Sequence, residues 1–182
     1  MVSCEEEKVP EKNFYSTNTA DLAQKTTDFD LGIIFNSPRN WDLRSTEISR
    51  RIENKRGYKG IKGEFIYDPS YVFFDDSTTS VLSLGKVKPP DSLKGRSGLL
   101  NFYSQILVSK ESDQNDHQVD QFVKDEIKFT QFTIDRGSII SKRLIFQNNF
   151  DDLIQFEYTS RKSFFDSEYQ KILQSIGSII LL

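Results

Sequence analysis

The chain is short of the side chains on which most enzyme and metal chemistry depends. Its 182 residues include one cysteine, one histidine, one tryptophan, one methionine and five prolines. A disulfide within the chain is impossible, and a zinc site with three or four Cys/His ligands cannot be assembled. Any triad that needs a histidine would have to use His117. No apolar run reaches the roughly 18 residues that a bilayer-crossing helix requires. Excess positive charge is missing too, with 24 Lys and Arg against 27 Asp and Glu and a net charge of −3. There is thus no broad electrostatic reason to bind nucleic acid or an anionic membrane.

Aromatic residues are plentiful: 15 Phe and 7 Tyr in a chain that is 36% hydrophobic and 28% charged. That much ring surface builds a core, so global disorder is not expected. The length suits one domain with a tail. Residues 1–28 read as the tail. They are polar from Val9 to Asp28, with a short helical turn expected at Ala20 to Lys25, and they suit a tether. Residues 29–182 read as a single domain.

Val2-Ser3-Cys4, followed by Glu5-Glu6-Glu7-Lys8, resembles the end of a bacterial lipoprotein signal peptide. In that family small residues precede a cysteine that becomes the lipidated first residue. The apolar stretch that normally comes before it is not in this sequence. The acidic run behind Cys4 also resembles the export signal of surface lipoproteins of the Bacteroidetes type. An ordinary start with a chance cysteine, and a solvated acidic tail, are the plainer alternatives. The lipoprotein resemblance implies acylation at Cys4, a place in the bacterial cell envelope, and an outer-membrane lipoprotein facing the periplasm or the cell surface. It also implies membrane contact through that lipid and an unidentified protein partner in the envelope.

Along the body, Asp30 to Pro38 reads as a strand that Pro38 ends, because proline removes a ladder donor. Ser45 to Lys55 has the spacing of a short helix. Glu64 to Asp68 and Tyr71 to Asp75 read as two strands around an Asp68-Pro69-Ser70 turn, and Ser80 to Val87 as another. Leu99 to Lys110 reads as a strand with apolar groups on both faces. Gln118 to Phe129 reads as a helix, with Val119, Phe122, Val123, Glu126 and Ile127 at helical spacing and only Glu126 polar. Phe132 to Asp135 and Ser138 to Phe146 form a hairpin around Arg136-Gly137. Asn148-Asn149 reverses the chain through positive φ. In the strand after it, Leu153 to Tyr158, Ile154, Phe156 and Tyr158 share one face. A final helix begins with Ser163 as N-cap, aligns Phe165, Tyr169, Ile172, Leu173 and Ile176, and ends at Gly177.

Candidate site residues are few. Trp41 reads mainly as core or rim packing, and otherwise as a ligand-stacking or partner-contact residue. Lys55, Arg56, Lys59 and Lys62 alternate with Gly57, Gly60 and Gly63. The Gly57-x-x-Gly60 spacing matches the phosphate-clamping loop of KH domains, and a flexible connecting loop explains it more simply. Asp113, Asn115 and His117 alternate as in a calcium loop, but the closing glutamate is replaced by Lys124. Asp75-Asp76 and Asp151-Asp152 are the paired acids of the body, and turn geometry accounts for both. No catalytic residue, metal ligand or cofactor motif emerges. The sequence therefore favours a non-enzymatic binding or assembly module, its recognition surface at Lys55–Gly63 or Lys88–Gly98. The alternatives are a small carboxylate-using hydrolase or ligand-processing enzyme, and phosphate or nucleic-acid binding through Lys55–Lys62. Net acidity disfavours that last reading, so no nucleic-acid partner is expected.

Two segments carry a second resemblance. Phe35-Asn36-Ser37-Pro38-Arg39-Asn40-Trp41 resembles the opening strand of PsbP-like proteins, which runs F-x-S-P-x-x-W. Leu153 to Tyr158, a helix from Phe164 to Ile176, and Gly177-Ser178-Ile179 resemble how that family closes. The resemblance implies an α+β fold, a mainly antiparallel sheet flanked by helices as an α/β/α sandwich. The family includes extrinsic photosystem proteins, Mog-type Ran-binding proteins and bacterial lipoproteins of unknown role. No shared catalytic set defines it, so the fold implies no activity.

Overall fold

Alternating apolar residues place β9, Leu153–Arg161, at the centre of the molecule. Ile154, Phe156 and Tyr158 point to one face and Leu153 and Gln155 to the other, and all five are buried. A computed structural model of the chain describes residues 19–45, 64–112 and 116–182. Within them β9 lies between β5, Ser80–Lys88, and β8, Ile139–Gln147, in a seven-stranded antiparallel sheet ordered β3-β4-β5-β9-β8-β7-β6. The other members are β3, Asp42–Leu43; β4, Ile66–Asp75; β6, Asp116–Lys124; and β7, Ile127–Asp135. A smaller antiparallel sheet joins β1, Leu22–Asp28, β2, Ile33–Pro38, and β10, Ile180–Leu181, in the order β1-β2-β10.

The two faces of the large sheet are covered differently. Helix α1, Leu99–Ser112, lies on one, where Leu99, Tyr103 and Leu107 pack with Val87, Phe132, Ile145 and Leu153. The other face bears both helix α2, Lys162–Gly177, and the small sheet. There Ile33, Phe35, Leu82, Phe129, Phe146, Phe156, Ile172 and Ile176 form the main core. The expected sheet-dominated α+β fold is therefore present, but one of its flanking layers is helix and three-stranded sheet together.

Several local expectations change. Leu99 to Lys110 is helix, because Leu99, Tyr103 and Leu107 repeat every four residues and bury together. Phe102, one of the apolar residues of that expected strand, is 44% exposed. Gln118 to Phe129 is no helix but a hairpin. Asp125 and Glu126 both take positive φ, 46° and 67°, and Lys124 pairs with Ile127 across this two-residue turn. The segment around Pro69 is a single strand, β4, with a bulge between Pro69 and Tyr71 that accommodates the missing donor. Ala20 to Lys25 is mostly strand: one 3₁₀ turn at Thr19–Asp21 leads into β1, so folded structure starts before residue 29. Helix α2 takes Arg161, not Ser163, as N-cap, without a side-chain capping bond. Glu168, off the apolar stripe expected for this helix, is buried and paired with Lys171 at 2.9 Å. The Ser45 to Lys55 helix falls almost wholly outside the described residues.

The two segments of the PsbP-like resemblance meet in space. Asn36 N–H donates to Ser178 Oγ at 2.8 Å, while the Ser175 hydroxyl donates to Asn36 O. These serines satisfy the β2 backbone just beyond Ile34 and Ile33, which pair with Ile180 and Leu181 of β10.

Candidate functional site

Three chain segments converge at one end of the sheet: the turn from β1 to β2, the turn from β8 to β9, and the tail through β10. Asn148 binds them together. It is 4% exposed. Its side-chain oxygen accepts from the backbone N–H of Phe150 and of Asp152, each at 2.9 Å, which shapes the β8–β9 turn. Its Nδ2 donates to Leu31 O at 2.9 Å, tying that turn to the β1–β2 turn. Positive φ in the β8–β9 turn falls on Asp151, at 62°, and not on Asn148 or Asn149. Gly32, at φ 64°, lies under the Phe150 ring, and a Cβ there would stand 2.8 Å from it. Leu182 N donates to Gly32 O at 3.0 Å, and Asn149 Nδ2 donates to Leu182 O at 2.7 Å. Asp28 steadies the first turn by accepting from Leu31 N at 2.7 Å and from the Tyr71 hydroxyl at 2.9 Å.

This buried frame holds out apolar side chains. Phe29 is 79% exposed, Phe150 63% and Ile180 52%. An exposed apolar cluster on a braced frame marks an interaction surface more often than scattered single residues do. Its rim is acidic: Asp30, Asp125, Glu126 and Asp151 are all exposed. Two nearby cations are engaged. Lys86 pairs with Asp152 at 2.6 Å, and the buried Lys124 pairs with Asp125 and donates to Ile179 O. Among the described residues, Asp30, Glu126 and Asp151 form no ion pair. Burial, reinforced by the Asp28 and Asp30 carboxylates, pushes the Tyr71 phenol up to about 12.

Phe29 and Phe150 were not singled out from the sequence. The signal was there in a simple form, since each turn carries a Phe-Asp dipeptide, Phe29-Asp30 and Phe150-Asp151. A large aromatic in a polar turn has no packing reason to be there unless something else covers it.

The residues proposed from sequence stand elsewhere. Trp41 is 8% exposed and belongs to the main core, 6.2 Å from the Tyr158 ring, so its indole offers almost no face to a ligand. Cys4, Lys55, Arg56, Lys59 and Lys62 lie outside the described residues, as do Asp113 and Asn115 of the calcium-like alternation. The Lys88–Gly98 loop borders a shallow cavity of about 270 Å³ beside Leu93, Arg96, Gly98, Phe102 and Gln105. A second depression, about 530 Å³, opens beside Leu22, Gln24, Asn36 and Arg39. Neither acid pair lines either one. Asp76 is held by Arg44 at 3.0 Å and Asp152 by Lys86. Burial opposes ionisation of Asp75, but hydrogen bonds from Thr78 and Ser77 outweigh it and hold the carboxyl below its ordinary value. Among the described residues there is no cluster of three or more His, Cys, Asp or Glu able to hold a metal. No helix among them is long and apolar enough to cross a membrane.

No protein family matches the sequence, and no curated protein matches it either. Among solved structures the chain is similar to cyanobacterial PsbP (CyanoP) from Synechocystis sp. PCC 6803. The TM-score is 0.54 at 14% sequence identity, covering 92% of this chain and 96% of that one. At that identity the likeness carries the fold alone. The chain has a PsbP-like fold.

Proposed function

We propose that this chain is a non-enzymatic binding or assembly module held at a bacterial envelope membrane through a lipid on Cys4. The observation that carries the reading is the braced apolar end, where Phe29, Phe150 and Ile180 stand exposed on a frame fixed by Asn148. The Val2-Ser3-Cys4 start supports the anchor, and within the PsbP-like group it favours the lipoprotein kind over the Mog-type kind. An acyl chain contributes about 0.8 kcal/mol per buried CH₂, so multiple chains on Cys4 would hold the protein stably.

Mass spectrometry and membrane fractionation in the native host test the anchor. The wild type is expected to be acylated at Cys4 and membrane-bound, and the Cys4→Ser variant to be released. An unacylated, cytosolic protein overturns the reading. A photo-crosslinking residue tests the binding face when placed at Phe150, and separately at Arg161 at the other end of β9. Crosslinks to one envelope protein from position 150 only are expected. Equal labelling from both positions would remove the case for a binding face.

A further inference from the structure

The chemistry of the apolar end specifies its partner more closely than the binding-module reading does, and the inference rests on that reading. Each aromatic there is followed by a carboxylate, Phe29 by Asp30 and Phe150 by Asp151, and all four side chains are exposed. Asp125 and Glu126 from the β6–β7 turn stand at the same end, because Lys124 reaches the tail at Ile179 O. Burial raises the Tyr71 pKa most, and the Asp28 and Asp30 carboxylates add to the rise, which agrees with a negative local field. Two cations of this end, Lys86 and Lys124, are consumed by Asp152 and Asp125. A ring face beside an unpaired carboxylate attracts guanidinium or ammonium groups twice over, through the ring quadrupole and through charge. The same carboxylates repel the anionic headgroups of a bacterial membrane. A purely apolar occupant would leave Asp30 and Asp151 desolvated without partners.

We infer that this end docks a basic and apolar protein segment, one that sets arginine or lysine side chains against Phe29 and Phe150 and an aliphatic side chain against Ile180. Charge complementarity commits the surface to that occupant. Lipid or a second copy of the chain would be a different finding.

The test titrates the full chain, isotopically labelled, with three short peptides of equal length, alternating Arg/Leu, Glu/Leu and Arg/Gly. Backbone shifts at Phe29, Asp30, Phe150, Asp151 and Ile180 are expected with the Arg/Leu peptide only. Its affinity should fall about five-fold in the Asp30→Asn/Asp151→Asn double variant and at least as much in Phe29→Ser/Phe150→Ser. These positions are exposed, so both variants keep the fold, and the dispersed spectrum verifies this. Higher salt should weaken the wild type more than the Asn variant. The inference is overturned by equal response to the Glu/Leu peptide or by no response at this end. Binding to phosphatidylglycerol vesicles through it, or concentration-dependent dimerisation abolished by Phe150→Ser, also overturns it. If any of these occurs while position 150 still crosslinks an envelope protein, the partner chemistry fails and the binding-module reading stands. If crosslinking fails as well, both fall.

Discussion

Asn148 meets Leu31 O, Phe150 N and Asp152 N at once, each at 2.9 Å, from a position 4% exposed to solvent. Replacing it with alanine strands one buried carbonyl and two backbone N–H groups, each of which had no need of water in the native fold. Asn148→Ala is expected to cost about 2–3 kcal/mol in urea denaturation and to release the Phe150 turn locally. Loss of protection at the Phe150 and Asp152 amides in hydrogen exchange checks the second part. Tyr71 sets a pH dependence at the same end. Its phenol titrates at about 12 in the folded protein and near 10 in an unfolded chain. A raised folded value means that the native state keeps the proton longer. The stabilisation is complete below about pH 10 and is lost as pH climbs toward 12. Tyr71→Phe should therefore flatten the decline of stability over that window, as denaturant midpoints at successive alkaline pH values would show.

At the scale of elements, the bulge in β4 explains a glycine that composition leaves unremarked. Pro69 pairs with Gly85 where the β4–β5 register shifts, and the chain presses on β5 so closely that a Cβ at Gly85 would stand 2.2 Å from Asp68 O. The obstacle is backbone, which cannot swing aside. Gly85→Ala is expected to cost about 2–3 kcal/mol or to slip the β4–β5 register, and thermal melting with amide exchange along β4 distinguishes the two. The exchange of strand and helix between the two misread segments has a related cause. Both α1 and the β6–β7 hairpin are short segments with mixed apolar spacing, which periodicity alone does not settle. Leu99, Tyr103 and Leu107 became a stripe only because the open face of the sheet offered Val87, Phe132 and Leu153 to pack on. At Asp125-Glu126 the usual Asn or Gly of a tight turn is missing, so the hairpin carried no turn signal.

At the scale of the whole molecule, the small sheet ties the first described strand to the last. β2 pairs with β1 on one side and β10 on the other, and Ser175 and Ser178 clasp Asn36 from the end of α2. The polar composition up to Asp28 suggests a tether that could be trimmed, but Leu22 is buried and β1 covers an edge of β2. Removing residues through Asp28 should lower the melting temperature by roughly 5 °C or more, which calorimetry would measure. A melting temperature unchanged by that cut would mean that β1 adds nothing to the fold.

The sequence by itself determined the class of the protein and several of its strands. Alternation in Leu153–Tyr158, the Pro38 stop and the Gly137 turn depend on local backbone sterics and on the period of a strand, and both are legible residue by residue. Its single histidine and single cysteine likewise limited the chemistry. The candidate site was not legible, and only the tertiary structure decided it. Phe29 and Phe150 stand 121 positions apart in the chain, and what makes them a surface is the Asn148–Leu31 bond, the Phe150 ring over Gly32, and a tail that returns to β2. Exposure is a property of what fails to pack, and it is settled only after every other element has found its partner.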